Sequence, residues 1–136
     1  MIKLTGIAAS SGIAIGRAFI LREPQLNPER ETIEPQEVQA ELARTRDAFS
    51  ASRAQLEAIR TRAVTQLGED KAAIFDAHLM ILDDPALTEQ IERLVAEEHR
   101  HPAAAVARVV EEYAAVFEAM EDSYLRERAA DIRDIG

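Results

Sequence analysis

The sequence predicts a mostly α fold: antiparallel helical hairpins in a four-helix-type bundle, preceded by a short amino-terminal β segment. Three observations lead there. From Pro35 onward, apolar residues recur at steps of three and four, the period of a helix with one buried face. Gly68, Asp84-Pro85 and His101-Pro102 divide that pattern into pieces of helix length. Ahead of it, residues 4–21 (LTGIAASSGIAIGRAFIL) differ in kind, being small and β-branched with Gly6, Gly12 and Gly16 as punctuation.

Residues 1–21 read as two short strands around a Ser-Ser-Gly turn, the second at Ile13 to Leu21. That strand is apolar at nearly every position, as expected of one covered on both faces inside a sheet. Nothing later in the chain resembles the rest of such a sheet. Residues 22–34, with Pro24, Pro28 and many charges, read as a linker. The helical part then occupies 35–136.

Pro35 suits a first helical position, where its missing N–H costs nothing, and Gly68 suits a stop. The helix between them should run roughly 33 residues and ~50 Å. Its seam is Val38, Leu42, Thr45, Phe49, Ser52, Leu56, Ile59, Ala63 and Leu67. Thr45 and Ser52 thin that seam, which argues against a self-sufficient dimeric coiled coil. A second helix spans about Glu69 to Leu82. Asp84 caps a third, which carries Leu87, Ile91, Leu94 and Val95. A fourth runs from Pro102 to about Met120. Asp122 or Ser123 caps a fifth bearing Tyr124, Leu125, Ala129, Ile132 and Ile135, still in helical register at Gly136, an ending that looks cut.

Charge and composition narrow the function. Lys and Arg number 16 against 25 Asp and Glu, a formal net charge of -9. Nucleic acid and anionic membrane would be repelled, whereas a basic protein face would be attracted. No cysteine is present, so neither a disulfide framework nor a thiolate nucleophile is available. No apolar run approaches the roughly 20 residues of a membrane span. The expected setting is the cytoplasm.

The first glycines are not a phosphate loop: no Gly-Lys-Ser/Thr follows them, and the residues beyond Gly12 read as strand. Glu98 and His101 have the E-x-x-H spacing of carboxylate di-iron bundles. Such a site needs a second copy and two further inward glutamates, so no metal site is assigned, and His99 and His101 read as surface or capping residues. The second helix is the informative one. Phe75, Leu79 and Leu82 share one face, Glu69, Ala73, Asp76 and Met80 form a stripe on another, and Ile74 and Ile81 lie on a third. A helix this apolar all round leaves surface for a partner, unless Met80 and Ile81 lie under a neighbouring helix. Glu69, Asp70, Asp83 and Asp84 would rim that patch. The pairs Asp122–Arg126 and Arg128–Asp131 read as an ordinary solvated face.

Three stretches, GIAASSGIAIGRAFIL, GEDKAAIFDAHLMILDDPAL and YLRERAADIRDIG, in that order and spacing, resemble the start of enzyme I of the bacterial phosphotransferase system. The resemblance covers nearly the whole chain. It implies a helical subdomain of two hairpins that binds the phosphocarrier protein HPr, set into an α/β domain that carries a phosphorylated histidine and would own the 1–21 strands. It also implies a parent enzyme, a homodimer, that moves a phosphoryl group from phosphoenolpyruvate, with magnesium, through that histidine to HPr in sugar uptake. His78, His99 and His101 do not match the phosphorylated position, so no catalytic residue and no cofactor is assigned to this segment, which is expected to be inactive alone. Carried over by position, the HPr surface comprises Glu69, Asp70, Lys71, Ala73, Asp76, His78, Met80, Ile81, Asp84, Leu87, Phe117 and Arg128. A structural or regulatory hairpin that self-associates through its seam is the alternative.

Overall fold

A computed structural model describes residues 11–13, 15–17, 19–20 and 30–135. Among them, a 3-10 turn at Pro35–Glu37 leads into α1 (Val38–Leu67), followed by α2 (Glu69–Leu82), α3 (Pro85–Glu97), α4 (Pro102–Glu118) and α5 (Ser123–Ile135). The expected helical order and stops are therefore present. The first expected strand lies outside the described residues. Of the second, the described residues form no strand, and Ile13, Ile15 and Phe19 are almost wholly exposed. An extended segment becomes a strand only when its N–H and C=O groups find a neighbour, and the described residues offer none there.

The one extended pairing among the described residues is an isolated antiparallel bridge between Thr32 and Arg100. Ile33 N donates to His99 O and His101 N to Glu31 O, both at 2.8 Å. His99 takes φ +51°, a left-handed residue that closes the α3–α4 turn. Ile33, read from sequence as linker, is consequently buried in the core.

Helix α1 is the spine, 30 residues and about 45 Å long. Gly68 reverses the chain in a single residue at φ 90°, ψ 164°, a region open essentially to glycine alone. Helices α2 and α3 then return along α1 in succession. Arg60 meets Asp76, Arg53 meets Asp83, and Arg46 meets Glu92, which sets α2 beside the second half of α1 and α3 beside the first. At the break between them Asp84 accepts from Ala86 N at 2.9 Å, with Pro85 in the first turn of α3, the cap expected of Asp-Pro.

Val38, Leu42, Thr45 and Ala63 of the expected seam are buried within this one chain. They are thus unavailable for the self-association considered as an alternative. Ser52 and Leu67 are exposed instead. Ser52 lies beside Arg53, which meets Asp83 at the break between α2 and α3, while Leu67 ends its helix at the Gly68 reversal.

Two apolar clusters follow. One joins α1, α3 and α4 through Leu42, Leu87, Ile91, Val95 and Val109. The other joins α4 to α5 through Val110, Ala114, Ala129 and Ile132, with Ile81 of α2 packed against it. Tyr113 touches both clusters, and burial, then the charge of Asp84, pushes its phenol pKa up. Ala72, Ala105 and Ala114 have no exposed surface, and such small side chains let helices approach closely. Among the described residues no helix is long and apolar enough to cross a membrane.

Candidate docking surface

Helix α2 has more apolar surface than its neighbours cover. Ala72, His78 and Leu82 are its buried residues, Ile74 remains 47 % exposed and Met80 76 % exposed. Glu69, Ala73, Asp76 and Met80 are all exposed, so the stripe read from helical geometry faces outward. Ile81 is half-buried and leans on the α4–α5 cluster.

Where α2 meets α4 and α5, an open groove of about 330 Å³ is lined by Ala77, Met80, Ile81, Phe117, Leu125, Arg128 and Ile132. A neighbouring depression of similar size is lined by Ala73, Ile74, Glu127, Arg128 and Asp131. Arg128 borders both. The fold thus unites Met80, Ile81, Phe117 and Arg128 in one concavity, with Ala73 beside it. Leu125, Ile132 and Asp131 were not among the expected site residues. Leu125, Arg128 and Ile132 stand at i, i+3 and i+7 on α5, a spacing that marks one helix face.

Other expected residues are placed differently. Leu87 retains 3 % exposure and sits in the α1–α3–α4 core. Ile91 and Leu94 continue the same apolar face of α3. His78 retains 9 % and lies beneath the surface, its Nε2 3.9 Å from Asp131 Oδ1. Asp84 is engaged as the α3 cap.

The acidic rim is partly neutralised from within. Arg60 donates to both carboxylate oxygens of Asp76 and reaches Glu69 at 3.4 Å. Arg53 donates to Asp83 at 2.9 Å. The hydrogen bond from each arginine to its aspartate, then the carboxylate charge, raises the guanidinium pKa. These pairs are exposed and worth little each, so a basic partner can compete for the carboxylates. Asp70 and Lys71 are exposed at the start of α2. The E-x-x-H pair is divided between other tasks. Glu98 meets Arg100 and Arg108, and His101 Nδ1 accepts from Ala103 N as the α4 cap. Among the described residues no three His, Cys, Asp or Glu side chains converge as metal ligands.

Residues 5–128 match the family described as PEP-utilising enzyme, N-terminal. The chain belongs to that family. It is 44 % identical over 132 residues to the phosphoenolpyruvate-protein phosphotransferase of Staphylococcus aureus strain MRSA252, covering 97 % of itself and 23 % of that protein. Against the enzyme of the same description from Listeria monocytogenes serovar 1/2a it is 44 % identical over 133 residues, covering 98 % of itself and again 23 % of the relative. The chain thus spans less than a quarter of the length of these curated relatives. A solution NMR structure of an Enzyme I (nEIt) protein superposes with a TM-score of 0.73 at 40 % identity, over 77 % of this chain and 42 % of that one. The amino-terminal domain of Enzyme 1 – Nitrogen gives 0.69 at 25 % identity, over 79 % and 44 %. These likenesses agree with the resemblance read from the sequence and with its mostly helical fold.

Proposed function

We propose that this chain is the part of a phosphoenolpyruvate-protein phosphotransferase that docks the phosphocarrier protein HPr. The observation that carries the proposal is the groove between α2 and α4–α5, apolar through Met80, Ile81, Phe117 and Leu125 and bordered by Arg128. It combines exposed apolar anchors with a charged margin, the anatomy of a protein interface. Carboxylates at Glu69, Asp70, Asp76 and Asp83 give the α2 side a negative field that favours a basic carrier face. In this reading α2 supplies Met80 and the acids, α5 supplies Arg128, and Phe117 of α4 closes the floor.

The chemistry belongs to the parent enzyme. There phosphoenolpyruvate, with magnesium, would phosphorylate a histidine of the α/β domain, which passes the group to HPr. No residue here is assigned to that step, and none is assigned to magnesium. A cytoplasmic setting and a homodimeric parent accompany the same reading.

Titration of isotope-labelled HPr with the 136-residue chain, followed by chemical-shift perturbation, tests the proposal. Perturbations should be confined to one face of HPr, with an association rate that falls as salt is added. No perturbation at millimolar concentration would refute docking, and affinity that rose with salt would refute its electrostatic part.

A further inference from the structure

His78 is not an ordinary core side chain. Only 9 % of its surface is exposed, and its Nε2 has no hydrogen-bond partner. Leaving a buried nitrogen unpaired is unfavourable, and such exceptions call for a reason. The imidazole stands edge-on to Phe75, ring centres 6.0 Å apart and planes 87° apart. Its Nε2 faces Asp131 Oδ1 at 3.9 Å, about 1 Å beyond hydrogen-bond reach. The other oxygen of that carboxylate, Oδ2, accepts from an Arg128 guanidinium nitrogen at 2.8 Å. Asp131 and Arg128 are themselves substantially covered, with side-chain exposures of 18 % and 28 %. An imidazole on α2, a carboxylate on α5 and a guanidinium at the groove therefore stand in line.

We propose that His78 is a positioning residue for Arg128, acting through Asp131; the inference rests on the docking reading above. A displacement of about 1 Å brings an imidazole Nε2–H onto Oδ1, within side-chain freedom. Asp131 is then fixed by a donor at each oxygen, and the guanidinium it holds keeps one orientation at the margin of the groove. Arg128 borders the groove, so the orientation of its guanidinium bears on how a docked protein's carboxylate or backbone carbonyl is met. Because the donor comes from α2 and the acceptor from α5, the same contact ties together the two helices that form the groove.

Binding of HPr to the full chain is measured for the wild type, His78→Phe, His78→Gln, Arg128→Gln and the double variant His78→Phe/Arg128→Gln, alongside thermal unfolding of each. Phe keeps a ring without a donor, and Gln restores an N–H near the Nε2 position. The expected result is a loss of about fivefold for His78→Phe, the scale of one hydrogen bond, near-wild-type binding for His78→Gln, and no further loss when His78→Phe is added to Arg128→Gln. Equal binding of wild type and His78→Phe would overturn the inference. So would an equal loss in both Arg128 backgrounds, which marks a packing role alone. Should His78→Phe not fold, Asp131→Asn takes its place and is expected to show the same dependence on Arg128. If the wild type itself does not bind HPr, the docking reading fails. The Arg128 Nε–H resonance then decides the positioning claim separately: a shift in His78→Phe that His78→Gln reverses supports it, and an unmoved resonance overturns it.

Discussion

Replacing Met80 with alanine separates binding from folding more cleanly than any other change to the groove. Met80 is 76 % exposed, so little of its burial contributes to the folded chain alone, and the unfolding midpoint should shift by less than about 0.5 kcal/mol equivalent. Fully burying a methionine side chain is worth about 1.5–3 kcal/mol. Scaling by the exposed three quarters, and allowing for the methyl that alanine keeps, leaves about 1–2 kcal/mol available to a partner that covers the site. The dissociation constant for HPr should therefore rise roughly 5- to 30-fold. Calorimetric titration at fixed ionic strength measures it, with urea unfolding of the same sample as the control. Affinity unchanged within twofold, with stability also unchanged, would show that Met80 stays solvated in the complex and that the groove is not the contact. Met80→Glu should weaken binding further, since it places an unpaired charge in an apolar cleft.

Gly68→Ala should destabilise the chain by about 1–2 kcal/mol, as a β-carbon is strained in that backbone region although nothing lies within 4 Å of where it would stand; urea unfolding measures the loss, and an unchanged midpoint would mean the turn relaxes. Hydrogen bonds from Arg46, opposed by partial burial, hold the Glu92 carboxyl below the usual carboxylate range. A carboxylate depressed on folding stabilises the native state above its unfolded pKa of about 4.3, and that contribution is lost as pH falls through the lower folded value. Glu92→Gln should thus lower the melting temperature slightly at pH 7, by an amount set by an exposed pair worth about 0.5 kcal/mol, and should flatten the decline between pH 5 and 3. Incubation with phosphoenolpyruvate and magnesium should leave His78, His99 and His101 unphosphorylated by mass spectrometry, and a stable phosphohistidine on any of them would require a catalytic role to be assigned here.

The helix limits were legible because their signals are local. Pro35, Gly68, Asp84-Pro85 and His101-Pro102 act within one turn of where they stand, and each marks a boundary in the structure. The outward stripe of α2 was legible for the same reason, being a consequence of helical period alone. What depends on the partner helix was not. Nothing near Asp76 in the sequence indicates Arg60, 16 residues earlier, and nothing near His78 indicates Asp131 on another helix. Leu87 carries the opposite lesson: its register with Ile91 and Leu94 already placed it inside, and position-by-position transfer from the resemblance placed it at the surface. The Arg128–Asp131 pair, read as an ordinary solvated i,i+3 contact, is mostly covered and stands beside α2.

The break between α2 and α3 divides the return path along α1 into two segments of unequal hold. Helix α3 anchors four residues in the core, Leu87, Ile91, Leu94 and Val95, whereas α2 contributes Ala72, His78 and Leu82, with Ile81 half-buried against the α4–α5 cluster, and is further held by exposed arginine pairs. Few buried apolar groups and solvent-facing backbone make a segment open at lower free energy than its neighbours. Amide hydrogens of α2 should exchange with deuterium well before those of α3, without global unfolding. The helix that presents Met80 is then the softest of the spine's two partners, and a docked protein would slow its exchange far more than it slows the rest.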